Sequence, residues 1–252
     1  MFSIEFLDQI RSYELSFYKS FLSSGSKVLE IGGGTGIQAK QLSDLGFKVS
    51  SVDIAGSNYA DNRVFPIIDY DGKNLPFEAA SFNIIFSSNA LEHIKDIDNL
   101  HDEFRRVLIK NGYSVHIMPS STWRLWTIIA HYIELLQRIV SYMPKLLPLE
   151  ISIHELIRIA YQVIEILRTI KYYFIPPRHG EFGNCITELY TFSRSYWSKH
   201  FKNNNYVLVD VVPMRLFYTG HMIMGKMLSL KNREKLSLIL GSSCILYRVK
   251  NK

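Results

Sequence analysis

The sequence predicts an α/β protein built on a doubly wound, mainly parallel sheet. From Lys27 onward, short apolar runs alternate with stretches of helical period, and four glycines stand between the first such run and the helix behind it. With 252 residues, 47% hydrophobic and 21% charged, the chain can bury a sizeable core as one main domain with an insertion.

Taken in order, Ile4 to Leu22 places Ile4, Leu7, Ile10, Leu15, Tyr18 and Leu22 at mostly three- and four-residue intervals. That spacing predicts an N-terminal helix (1–24) packed on the sheet rather than acting in a site. The cofactor-type core spans 25–120, with strands at Val28–Ile31, Lys48–Asp53, Val64–Asp69, Phe82–Ser87 and Tyr113–Met118. Helices are expected from the glycine loop to about Leu45 and over Ile97–Ile109, the latter stopping at Asn111-Gly112. The alternation then breaks. Trp123–Met143 and Ile151–Tyr173 read as two apolar helices separated by Pro144 and Pro148 and ended by Pro176-Pro177, a helical insertion (121–177). It resumes over 178–252 with a helix near Ser193–Phe201 and strands Tyr206–Val212 and Ser243–Val249, so the insertion falls between the fifth and sixth of seven strands.

Composition excludes several classes. Two cysteines, Cys185 and Cys244, cannot make a disulfide framework or a four-thiolate metal site. The first fourteen residues carry Glu5, Asp8, Arg11 and Glu14 and do not read as a signal peptide, so a cytoplasmic chain is expected. No window reaches the roughly 18 uncharged apolar residues that span a bilayer. The net charge of +6 is unevenly spread: residues 1–120 hold 11 Lys+Arg against 15 Asp+Glu, residues 121–252 hold 18 against 8. The second half could therefore face an anionic partner, or its lysines could simply be solvated.

Val28-Leu29-Glu30-Ile31-Gly32-Gly33-Gly34-Thr35-Gly36 puts the glycines where a backbone must turn tightly and approach a ligand. Asp53 ends the next strand, where a carboxylate can accept both hydroxyls of a ribose. Gly34-Thr35-Gly36-Ile37-Gln38-Ala39 also satisfies the dinucleotide pattern, so the glycines alone leave NAD in competition. Carboxylates on successive strand ends suit a ligand with a sulfonium, an ammonium and a ribose better than a pyrophosphate.

With Glu30 before it, Asp71-Gly72-Lys73-Asn74-Leu75-Pro76-Phe77 after it and the run Ser81-Phe82-Asn83 through Asn89-Ala90-Leu91-Glu92-His93, this loop resembles the class I S-adenosylmethionine-dependent methyltransferases. The similarity is to the small-molecule group that includes the ubiquinone and menaquinone biosynthesis enzymes, and it covers roughly residues 25–120. It implies the Rossmann-like seven-stranded fold, S-adenosyl-L-methionine as cofactor and S-adenosyl-L-homocysteine as product. By the same resemblance, Gly32, Gly34 and Gly36 would hug the methionine part with Glu30 near its ammonium group. Asp53 would hold the ribose and Ile54 would flank the adenine. Asp71 would accept from the adenine amino group, Gly72 would let the ring approach, and Ser88 and Asn89 would border the methyl. Asn83 departs from the aspartate often found there.

Methyl transfer needs an oriented acceptor and, for a hydroxyl, one base. His93, beside the expected methyl position, is one candidate; packing is its other reading. The loop Pro176-Pro177-Arg178-His179-Gly180-Glu181-Phe182-Gly183-Asn184 offers another, with Arg178 to fork onto phosphate or carboxylate and His179 with Glu181 as base and orienter, unless it is an ordinary connector. His116 reads as a core histidine, and Tyr218, Gly220 and His221 as a pocket rim. No histidine pair has metal-ligand spacing, and no metal is expected.

The insertion carries apolar stripes (Trp123, Trp126, Ile129, Ile133, Leu136, Val140; Leu156, Ala160, Val163, Leu167, Ile170) with Arg124, Arg138, Lys145, Arg158, Arg168 and Lys171 nearby. It could be a lid, a homodimer face, or a contact with an anionic membrane on whose inner face the protein would lie. His179-Gly180-Glu181 and Gly241-Ser242-Ser243 are similar to segments of methyltransferases of bacterial surface polysaccharide assembly, which implies a sugar or glycolipid hydroxyl as acceptor. A quinone or other lipid-linked acceptor fits the apolar insertion as well. The competing functions are an NAD-dependent oxidoreductase, for which no Tyr-x-x-x-Lys accompanies the glycines, and a nonenzymatic membrane or nucleic-acid binding protein, for which no basic run interleaved with aromatics is present.

Overall fold

The computed structural model describes residues 4–142, 152–218 and 228–252. Seven strands lie within them: β1 Lys27–Ile31, β2 Lys48–Ile54, β3 Ile68–Tyr70, β4 Phe82–Ser88, β5 Leu108–Pro119, β6 Tyr206–Pro213 and β7 Cys244–Asn251. They form one sheet in the order β3-β2-β1-β4-β5-β7-β6. The pairs β2–β3, β1–β2, β1–β4 and β4–β5 are parallel, and β7 runs antiparallel to both β5 and β6. This is the doubly wound, mainly parallel arrangement that the alternation predicts. The order reverses between β1 and β4, and the crevice beyond their carboxyl ends is where such sheets bind ligands.

Side chains alternate across each strand, so Val28, Ile84, Phe86 and Val115 face one layer and Leu29, Ile31 and Ile85 the other. On the first face they meet helices α1 (Ile4–Tyr18) and α2 (Ile37–Asp44) through Phe6, Ile10, Tyr18 and Leu42. On the second they meet α3 (Ile97–Val107) through Leu100 and Phe104. The insertion supplies α4 (Ser121–Tyr142) and α5 (Ile153–Tyr173), between β5 and β6 as expected. A short α6 (Glu188–Thr191) and α7 (Arg194–Asn203) follow, then α8 (Leu230–Leu240); Trp197 and Phe201 of α7 join the second face. Both cysteines are free and buried. Among the described residues no helix is long and apolar enough to cross a membrane.

Several expectations change. The third strand is Ile68–Tyr70, not Val64–Asp69, because its front half belongs to the glycine loop: the Val64 N–H donates to Thr35 O at 2.8 Å, and Phe65 presses on Gly36. Helix α3 ends at Val107 and β5 begins at once. Asn111, at φ +69°, and Gly112 therefore sit in a strand whose register against β4 shifts, a bulge rather than a helix cap. The two insertion stripes do not bury each other. Trp123, Arg124 and Leu135 of α4 are buried, but Leu136 (61%), Val140 (59%) and Leu167 (60%) are exposed, and α5 buries nothing. The helices instead touch through polar groups: His131 Nε2 lies 2.6 Å from Tyr173 O, Tyr132 donates to Phe174 O, and the Arg138 guanidinium lies over the Tyr173 ring. Pro144, Pro148, Lys145, Gly220 and His221 lie outside the described residues.

Gly32 carries the tightest demand at the reversal, since its φ is +73° and a Cβ there would stand 2.6 Å from Ala90 Cβ at the end of β4. Gly25 has a similar φ of +71° with open space around it. Gly25→Ala is expected to cost about 1 kcal/mol from the left-handed backbone, and Gly32→Ala roughly 1–3 kcal/mol more from the collision. Urea denaturation of both variants measures the difference.

Candidate active site

The glycine loop folds back on β2, with the N–H groups of Gly32 and Gly33 both donating to Val52 O, at 2.9 and 3.0 Å. The Gly34 N–H donates to Asp53 Oδ2 at 2.9 Å, while Asp53 Oδ1 accepts from Ile54 N. Asp53 therefore shapes the loop from the end of β2, across 19 residues of chain. Beneath the loop lies Glu30, 2% exposed, accepting from Ser51 Oγ at 2.6 Å. Burial pushes its carboxyl up to about 7; the Ser51 hydrogen bond opposes the shift, and the Asp53 charge adds to it.

Asp71 closes a turn, accepting from the N–H groups of Lys73 and Asn74 and from the Asn74 amide. Those bonds, Asn74 foremost, hold its carboxyl down at about 2. Gly72, at φ +78°, would carry a Cβ 3.7 Å from Ile54, so the turn stands beside a half-exposed apolar side chain suited to a flat ring.

One correction concerns α1, which was expected only to pack. Leu7, Asp8 and Arg11 line the cleft above the loop with Gly32, Gly33, Gly34, Thr35, Tyr59, Ser88 and Asn89. Arg11 pairs with the fully buried Glu14 at 2.7 Å. With its amide oxygen turned to the guanidinium, Asn89 accepts from Arg11 at 2.9 and 3.0 Å. Asn89 itself is held at φ +50°, a conformation that Asn tolerates better than most residues. A carboxylate-bearing ligand end would meet Arg11, a ribose would meet Asp53, and an ammonium or sulfonium would sit over the glycine loop, with Glu30 acting from beneath it by charge rather than by contact. The donor set thus fits S-adenosylmethionine.

Beyond β4, Leu91–His93 forms a single 3-10 turn. Its Glu92 is buried, and neither carboxylate oxygen has a hydrogen-bond partner. The loop at 176–184 folds against this turn, with the Glu181 N–H donating to Glu92 O at 2.8 Å and Gly180 packed on the same carbonyl. His93 and His179, 86 residues apart in sequence, meet edge to face at 4.8 Å between ring centroids. Each points Nε2 to within 3.9 Å of Glu92 Oε1. Burial pushes Glu92 up to about 8, draws His93 below the usual histidine range, and draws His179 down to about 3 with help from His93 and Arg124.

The loop is held from the insertion side. Arg124 Nε of α4 lies 2.8 Å from Glu188 Oε2 of α6, both side chains almost fully buried, and Arg124 also donates to Pro177 O. The other Glu188 oxygen accepts from the backbone N–H groups of His179 and Gly180 at 2.7 and 2.8 Å. Trp123 packs edge-on against the His179 ring at 4.6 Å.

Glu181, expected to orient His179, pairs instead with Lys95 at 3.4 Å, and Arg178 is exposed. His116 is the core histidine expected, its Nδ1 2.8 Å from Ser87 Oγ and its ring stacked between Phe104 and Phe201. Tyr218, expected on a rim, is buried, with its hydroxyl 2.7 Å from Cys244 Sγ. Asn83 accepts from the Lys27 N–H at the opposite end of the sheet, so the departure there touches no site residue.

The strand order, with its reversal at the glycine loop, is the fold of the class I methyltransferases. Residues 29–116, about a third of the chain, match a family described as methyltransferase domain. The chain is similar to the biotin biosynthesis bifunctional protein BioHC of Cellvibrio japonicus, 34% identical over 92 residues, which is 34% of this chain and 18% of that protein. The match thus spans less than a fifth of that relative's length. Among solved structures, a SAM-dependent methyltransferase from Aquifex aeolicus shares the fold with a TM-score of 0.53 and 14% identity, covering 99% of this chain and 98% of that one. An S-adenosylmethionine-dependent methyltransferase from Mesorhizobium loti does so with a TM-score of 0.52 and 13% identity, covering 94% and 97%.

Sequence reasoning missed Arg11, Glu92, Arg124 and Glu188 as site residues. Arg11 and Glu14 interrupt the apolar face of α1, a signal that charges on that face have a buried destination.

Two predictions follow from this electrostatics. A carboxyl raised from 4.5 to about 7 in the folded state stabilises the fold fully below pH 4.5, and that stability is lost as pH rises through 7. Glu30→Gln should therefore gain on the parent protein between pH 5 and pH 8, by up to about 3 kcal/mol, read from paired melting curves. Glu188→Gln leaves the Arg124 cation buried without its counter-charge and should cost about 3–5 kcal/mol, a fall of roughly 10 °C in Tm.

Proposed function

We propose that the protein methylates a hydroxyl of a small or lipid-linked acceptor, with a sugar or glycolipid as the leading class. The observation that carries this reading is the meeting of the Glu92–His93 turn with the His179 loop, three residues past Asn89 at the end of the strand that borders the glycine cleft. Bound S-adenosylmethionine supplies a methyl on a positively charged sulfur, whose displacement by the acceptor oxygen leaves S-adenosylhomocysteine. Arg11, Asp53, Ile54, Asp71, Gly72, Ser88 and Asn89 would hold and aim the cofactor along the cleft, with Glu30 beneath the glycine loop. His93, the more exposed of the two rings, is the one placed to take the hydroxyl proton, whereas the burial that holds His179 down at about 3 also makes it a weak base and leaves it a positioning role beside His93. Glu181, paired with Lys95 at the mouth of the loop, contributes charge beside them.

The exposed apolar residues of α4 and α5 favour a lipid-linked acceptor over a wholly polar one. Ile153 (75%), Tyr161 (68%) and Leu167 stand in solvent on helices that also carry Arg158 and Arg168, and basic amphipathic helices rest on anionic lipid surfaces.

Calorimetric titration with S-adenosylhomocysteine, and separately with NAD, tests the proposal. Micromolar binding of the first alone is expected, weakened about tenfold or more by Asp53→Ala or Arg11→Ala, since each loses a charged contact, and unchanged by His179→Ala. Binding of NAD alone would overturn the reading in favour of an oxidoreductase.

A further inference from the structure

We infer that Glu92, His93 and His179 form a binding site for one divalent transition-metal cation of the zinc class. One ligand atom from each residue lies within 4.8 Å of the other two. The two spacings from Glu92 Oε1 to the imidazole Nε2 atoms are 3.9 Å. That is about half an ångström wider than the ~3.3–3.4 Å between neighbouring ligands on a tetrahedral ion with bonds of ~2.0–2.1 Å. It is also too long for a hydrogen bond, so the three groups converge without satisfying one another.

The independent observation is Glu92 itself. Its side chain is 1% exposed, and neither carboxylate oxygen has a hydrogen-bond partner. A buried carboxyl with no donor is costly, and such a group in a native fold calls for an ion or an equivalent partner. A cation supplies that partner and uses the imidazole lone pairs that face it. Two nitrogens and one oxygen select Zn²⁺ and its first-row neighbours over Mg²⁺ and Ca²⁺, which prefer all-oxygen sites. Three protein ligands leave at least one coordination position open, the pattern of a reactive rather than a structural zinc site.

The surroundings are built to hold these groups in place. His179 is fixed through its own backbone N–H by Glu188, which Arg124 anchors, while Glu181 N ties the loop to the carbonyl of Glu92. The His101–His200 pair makes an instructive contrast. Its Nε2 atoms are 2.9 Å apart, close enough for one ring to donate to the other, and Tyr206 rather than a carboxylate completes the group. A bound ion would take these Nε2 lone pairs, so with it in place His93 and His179 would hold the metal instead of accepting a proton, and the open position would receive the acceptor oxygen; that last step rests on the function proposed above, and occupancy of the site does not.

The full-length protein, stripped with chelator and dialysed, is titrated with Co²⁺ as a spectroscopic probe and with Zn²⁺ by calorimetry. One equivalent per chain is expected, with a visible Co²⁺ absorption band of a low-coordinate nitrogen and oxygen site. Glu92→Gln and His179→Asn should each weaken binding roughly tenfold or more; His93→Asn, at a half-exposed ring, should do the same. No uptake by the parent protein overturns the inference, as does uptake that all three variants retain, because the ion would then sit elsewhere. S-adenosylhomocysteine titration of the same samples reads the cofactor cleft separately, so failure of the methyl-transfer reading and failure of the metal site give different results.

Discussion

Arg124 and Glu188 bring opposite charges to 2.8 Å almost out of contact with water, and the loop that carries His179 hangs from that pair. Neither charge is tolerable there alone, since removing one partner of a buried pair strands the other. The pair therefore links the start of the insertion to the return of the chain into the sheet. Its second carboxylate oxygen converts that anchor into a definite position for two backbone N–H groups, and so for an imidazole. The insertion thus acts on the site through its first turn, while most of its length stays in solvent.

Around the cleft, several buried carboxyls share the influence of Arg11. Glu14, Glu30 and Glu92 are all buried, and burial raises the pKa of each. Arg11 opposes the shift in all three. A helix that the apolar spacing marks as packing material thereby supplies the guanidinium on which the electrostatics of the cleft turn. Asn89, strained at the end of β4, accepts from that guanidinium and marks the boundary between the glycine cleft and the Glu92 cluster.

The α4–α5 pair leaves a wide apolar surface, and the contacts between its two helices include those of His131, Tyr132 and Arg138 with the end of α5. Binary patterning identifies a helix face as apolar, but it does not say what covers that face. The stripes are real in the sequence, and their mutual burial is not realised among the described residues.

The sequence by itself determined the alternation of strands and helices, the insertion point after the fifth strand, and the glycine loop with Asp53. These features are local: periods of two and 3.6 residues and a single β-α-β unit place Gly34 and Asp53 side by side. Its failures at the edges are also local in origin, as where Asn111-Gly112 serves a bulge and Val64-Phe65 packs on the loop instead of extending β3. His93 and His179 were visible as separate residues, one after a strand and one on a proline-bounded loop. Only the tertiary structure decided that they face each other across Glu92, that Arg11 reaches Asn89, and that Arg124 holds Glu188. Each of those contacts joins residues tens of positions apart, where no periodicity constrains the pairing and burial alone selects the partner.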